Sequence, residues 1–162
     1  MGSLPMKKLM LVPLVVSVGL AGCVAAPPPV APISVQLQGT SVEVQQYVED
    51  TIMKGLGGAY RVESETDREV VFKSDCVNVP NMSSLKCAVI LMGIGNSGWS
   101  GPYHYVKFRT NEIRGTVHLS VDAQWCAVNA FGKTNCMPEG STKDANAMLR
   151  SLEENFHKAA QS

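Results

Sequence analysis

Thr116-Val117-His118-Leu119-Ser120-Val121-Asp122-Ala123-Gln124-Trp125 alternates without a break. Val117, Leu119, Val121, Ala123 and Trp125 share one side, and Thr116, His118, Ser120, Asp122 and Gln124 share the other. Side chains on a strand point to opposite faces in turn, so this pattern predicts a strand with one buried and one solvated face. Half-buried strands of this kind belong to antiparallel sheets. Tyr103 to Arg109 repeats the pattern, with His104, Val106 and Phe108 on one side and Tyr103, Tyr105, Lys107 and Arg109 on the other. Asn111 to Gly115 is the expected hairpin between the two. Cys126 to Phe131 extends the sheet up to a turn at Gly132-Lys133-Thr134-Asn135. Ile33 to Leu37 reads as a first strand. Ala59 to Glu63 and Glu69 to Lys73 read as short strands around Glu65-Thr66-Asp67. Cys87 to Met92 is apolar throughout and is expected as a strand buried on both faces.

Two segments carry helical periodicity instead. Thr40 stands three residues before Glu43, the spacing of a capping box. Val44, Val48, Ile52 and Leu56 then recur every fourth residue, with Tyr47 beside them, and Gly55, Gly57 and Gly58 end the run. Near the C-terminus, Ser141 is placed to cap a helix whose apolar stripe is Ala145, Met148, Leu149, Leu152 and Phe156. Strand, helix, several strands and helix make an α+β fold. The expected form is a two-layer sandwich: a mostly antiparallel sheet of five or six strands with two helices packed on one face.

The first residues are not part of that domain. Lys7 and Lys8 precede Leu9 to Leu20, which is apolar or small throughout, the pattern of a secretory leader. The run falls short of a membrane span before Pro27-Pro28-Pro29 breaks any helix. Leu20-Ala21-Gly22-Cys23 resembles the lipobox of bacterial lipoproteins. The resemblance implies that residues 1–22 are a removable signal peptide and that Cys23 becomes the lipidated first residue. Val24 is not the aspartate associated with inner-membrane retention, so the resemblance further implies an outer-membrane anchor with the domain facing the periplasm. Residues 23–32 are then a proline-rich tether, extended by its prolines, and residues 33–162 are one globular domain.

The chain of 162 residues has 14 basic and 14 acidic side chains. Loss of Lys7 and Lys8 with the leader brings the net charge to −2. That balance favours neither nucleic acid nor electrostatic binding to anionic lipid. Of the five cysteines, four remain beside Cys23: Cys76, Cys87, Cys126 and Cys136. An even set in an exported domain predicts two disulfides, with three pairings open. Zinc ligands come as closer pairs than these, so no metal site is expected.

Gly93-Ile94-Gly95-Asn96-Ser97-Gly98 matches a dinucleotide-binding glycine pattern. That chemistry requires a helix next, whose N-terminal amides face the pyrophosphate. Trp99-Ser100-Gly101-Pro102 follows instead, so a loop with Trp99 at its tip is expected and no cofactor is. Trp99 is a candidate partner contact, as are Tyr103, Tyr105, Lys107 and Arg109, which would stand together on the sheet face away from the helices. No nucleophile elbow or zinc-binding helix motif occurs. His104 is in phase with the core, and His157 suits the end of a helix. The sequence therefore predicts a non-enzymatic outer-membrane lipoprotein, a structural or accessory component of an envelope or secretion assembly, with an envelope protein as partner. The alternative is a stand-alone binding module: an enzyme inhibitor, an immunity protein or a carrier of a small apolar ligand.

Overall fold

A computed structural model describes residues 33–95, 100–139 and 142–161. The leader, Cys23, the tether, Trp99 and Ser141 lie outside these residues. The strands are β1 (Ser34–Gln38), β2 (Arg61–Thr66), β3 (Glu69–Asp75), β4 (Ser100–Ile113), β5 (Thr116–Val128) and β6 (Thr134–Pro138). The helices are α1 (Ser41–Gly55), α2 (Ser84–Gly93) and α3 (Thr142–Ala160), and a short 3-10 turn, Cys76–Asn78, follows β3.

All strand pairs are antiparallel, in the order β1-β5-β4-β3-β2. The long strand β5 organises the sheet. One of its edges pairs with β4 from Thr116 to Val128, and the other is shared. β1 takes the first half of that edge, from Thr116 to Ser120, and β6 takes the last part, from Gln124 to Val128. The Glu139 amide, just past β6, donates to the Ala123 carbonyl at 2.9 Å in the interval between them.

The α+β architecture is as the alternation predicts, but three features differ. Cys87 to Met92 is not a strand; it lies inside α2, so the described residues form three helices. An unbroken apolar run carries no period with which to choose between helix and strand. Here the Ser83 hydroxyl, which accepts from the Lys86 amide at 3.3 Å, starts a helix. The sixth strand is instead β6, formed by Thr134 and Asn135 from the expected turn together with Cys136 to Pro138. The reversal before it is built by Asn129, whose Oδ1 accepts from the amides of Phe131 and Lys133, both at 2.9 Å. The β4–β5 hairpin is also tighter than Asn111 to Gly115. Its turn is Arg114-Gly115 alone, with φ of 53° and 79°, the left-handed pair of a type I′ turn.

The core lies between the sheet and α1 and α3. Leu37, Val44, Val48, Phe72, Val117, Leu119 and Leu149 are each 0% exposed. α1 lies over β3 and β4, and α3 lies over β1 and β5. Tyr47 and Phe156 join the two helices edge to face, with ring centroids 5.0 Å apart. The capping box at the start of α1 forms as expected, with Thr40 and Glu43 exchanging hydrogen bonds. α2 covers the far end of the same sheet face. Its Cys87 and Ile90, with Ile94 just after it, meet Trp125, Cys76 and Met137 in a second, smaller cluster. Gly101 sits where β4 bends against β5: a Cβ there would lie 3.2 Å from the Ala127 Cα, and the φ of 104° also suits only glycine.

Candidate functional site

Between the two clusters, the sheet carries a polar side chain in an apolar phase. His104 is 5% exposed and continues the stripe of Val106 and Phe108. A buried imidazole must find hydrogen-bond partners, and two come from distant parts of the chain. Tyr60, between α1 and β2, places its hydroxyl 2.5 Å from Nδ1. Glu139, between β6 and α3, places a carboxylate oxygen 3.2 Å from Nε2. Trp125 stacks on the imidazole at 4.4 Å with the planes 28° apart. With a neutral ring, the tyrosine O–H donates to Nδ1 and Nε2–H donates to the carboxylate. Burial, with the Glu139 charge adding to it, pushes the Tyr60 phenol up to about 12. A phenol held so firmly protonated is a hydrogen-bond donor at neutral pH, not a nucleophile.

Three members of this array, Tyr60, His104 and Glu139, line a cavity of about 200 Å³ between the helices and the sheet. Ile52 of α1 and Leu56 just after it contribute to its walls, as do Val106 and Ala123 of the sheet and Ala145 and Met148 of α3. Tyr60, His104, Glu139 and Asp144 complete the lining. Glu139 also lines a wider groove beside α2, together with Trp125, Leu85 and Val89.

The opposite face of the sheet holds four of the residues singled out from the sequence. Tyr103, Tyr105, Lys107 and Arg109 stand in one row on β4, away from the helices. Their charges are matched within the sheet. Glu69 on β3 takes Arg109 at 3.0 Å and Lys107 at 3.5 Å. Lys73 pairs with Glu63 at 2.9 Å and lies over the rings of Tyr103 and Tyr105, 4.7 and 5.3 Å from their centroids. The Glu63 carboxylate is the main cause of the upward shift of the Lys73 ammonium. The row is therefore a polar, self-paired surface with two aromatic plates.

The chain matches no family model, no curated protein and no solved structure.

The four remaining cysteines pair locally. Cys76 and Cys87 are joined with Cα atoms 5.9 Å apart, and Cys126 and Cys136 with Cα atoms 4.1 Å apart. The first bond ties α2 to the 3-10 turn after β3. The second crosses from β5 to β6 at a registered pair. α2 is thus held on its inner side, while Leu85, Val89 and Met92 on its outer side are 77%, 57% and 70% exposed. Among the described residues, no group of three or more His, Cys, Asp or Glu side chains is arranged to hold a metal ion. Among the same residues, no helix is long and apolar enough to cross a membrane.

Sequence reasoning placed His104 correctly in the core but missed Tyr60 and Glu139. They lie 44 and 35 residues from it in the chain, and no periodicity links them. The available signal was His104 itself, a polar residue in a core phase that demands partners. The outer face of α2 was missed because Val89 and Met92 were expected inside a buried strand over Cys87 to Met92.

Proposed function

We propose that this protein is a lipid-anchored, non-catalytic component of a bacterial outer membrane, acting as an accessory part of an envelope assembly. Cys23, in its lipobox-like setting, supplies the anchor, and the proline-rich segment after it supplies the reach. The observation that carries the partner-binding part of the reading is the outer face of α2. A helix stapled to the domain by Cys76–Cys87 nonetheless leaves Leu85, Val89 and Met92 in solvent. Clustered exposed apolar side chains mark contact surfaces more often than scattered ones do. Two disulfides suit an oxidising compartment such as the periplasm. Tyr103 and Tyr105, flat and half-buried beside paired charges, provide a second, more polar contact face, and Trp99 is a further contact residue.

The full chain, produced in a bacterium with two membranes, tests this reading. A photoreactive residue at Leu85 should crosslink into a discrete high-mass complex in the outer-membrane fraction. Cys23→Ser should move the protein to the soluble periplasmic fraction and abolish that complex. A Cys23→Ser protein that stays with the membrane would refute the anchor. Crosslinking to a single soluble enzyme or toxin would replace the accessory role with an inhibitor or immunity role.

A further inference from the structure

The cavity between α1, α3 and the sheet has carbon for most of its wall, from Ile52, Leu56, Val106, Ala123, Ala145 and Met148. Four polar side chains share the lining, and each is already engaged. The Tyr60 hydroxyl is bonded to Nδ1 of His104, and Nε2 of the same ring faces Glu139 at 3.2 Å. Asp144 has an interaction of its own. Among the described residues, no lysine, arginine or side-chain amide lines the hollow, and Tyr60 supplies its only hydroxyl. The lining therefore offers no uncommitted side-chain donor. Burial as the main cause of the raised Tyr60 phenol reports the same low polarity. Protein interiors leave few voids larger than a water molecule, and an empty space forfeits the contacts its walls could make. At about 200 Å³, this one exceeds the ~150 Å³ cavity that stays dry in an apolar interior and takes up benzene. It remains below the size of a typical drug-sized pocket.

We propose that this cavity is a binding site for a neutral, apolar molecule of single-ring size. The ligand lies between Ala145 and Met148 of α3 and Val106 and Ala123 of the sheet, with Ile52 and Leu56 beside it. Its affinity comes from carbon removed from water on both sides of the contact. Charged ligands of the same shape are rejected, because they lose their hydration without a vacant partner in return. A carboxylate finds no free donor, and an ammonium finds both carboxylates already engaged. The site goes beyond the accessory role and is independent of the membrane anchor and of the face of α2.

Methyl NMR of the full chain, titrated in parallel with toluene, benzylamine and benzoate, tests the assignment. Toluene should shift the Ile52, Val106, Ala145 and Met148 methyls saturably, at least about tenfold more tightly than either charged compound. Ala145→Phe, or Ala123→Leu should the first variant fail to fold, should fill the space and abolish the shifts with the thermal transition retained. No saturable shift with toluene would show a packing void rather than a site. Benzylamine or benzoate binding as tightly as toluene would overturn the apolar assignment. Toluene shifts confined to Val89 and Ile90, or surviving in the filled variant, would move the site to the groove beside α2 or elsewhere and overturn the proposal.

Discussion

Tyr60 has an environment far from that of a free side chain. Its hydroxyl is buried, bonded to His104 and close to the Glu139 charge, and its pKa is raised from 10.0 to about 12. Between those two values the folded state keeps a proton that the unfolded chain releases. Stability from this group is therefore complete below pH 10 and is lost as the pH rises toward 12. Tyrosinate absorbance should show one of the four tyrosines titrating late, followed by unfolding, and Tyr60→Phe should remove the late step. A late step that persists in Tyr60→Phe would assign it to another ring. Glu43 shows the opposite sign: hydrogen bonds from the Thr40 amide and hydroxyl hold its carboxyl below the usual range, so the capping box weakens only as acid protonates it. Thr110 is the residue with no account, since its Oγ1 is buried with no partner among the described residues.

At the level of elements, legibility followed burial. β4 and β5 were readable because each has one wet face, which imprints a period of two. α1 and α3 were readable because each has one dry stripe. α2 was not readable, because Cys87 to Met92 is apolar on the side facing Trp125 and on the side facing water alike. Its place depends on a covalent bond that sequence alone could not assign among three pairings. This gives the two disulfides different consequences. Each closes a short loop, with sequence separations of 11 and 10, and by chain entropy each is worth about 3 kcal/mol. Cys126–Cys136 reinforces a ladder that also has backbone bonds. Cys76–Cys87 holds a helix with little else on its outer side. Replacing Cys76 and Cys87 by serine should expose the α2 amides to rapid hydrogen exchange while those of β4 and β5 stay protected. Replacing Cys126 and Cys136 should leave α2 protected. Equal loss of protection across the domain in both variants would show that α2 is not a separable unit.

For the whole molecule, the sequence was sufficient to find the sheet, its polar face and the layer of helices, because these follow from solvent on one side and core on the other. The cavity and its relay were hidden, because they join residues from the end of α1, the middle of β4 and the segment after β6. The same contrast separates residues that hold the fold from residues available to a partner. Phe72 is fully buried, and Phe72→Ala should cost about 3–5 kcal/mol in denaturant unfolding. Leu85→Ser with Val89→Ser touches exposed positions and should leave stability within about 1 kcal/mol while abolishing the Leu85-face complex. Destabilisation on the scale of Phe72→Ala would make that face part of the core.

The pairing of β1 also has a consequence in time. Leu37 sits opposite Val117, so its partner lies eighty residues further along the chain. Ribosomes add about 5–20 residues per second. Each new chain therefore holds β1 for several seconds, or longer, with nothing on the edge it will use. The β2–β3 hairpin can zip locally within that interval, and β4 can add to it, so β1 is the strand that waits longest for its neighbour. Its composition suits the wait: Val35 and Leu37 are its only apolar residues, set among Ser34, Gln36 and Gln38, too sparse a stripe to recruit a neighbouring nascent chain before β5 arrives.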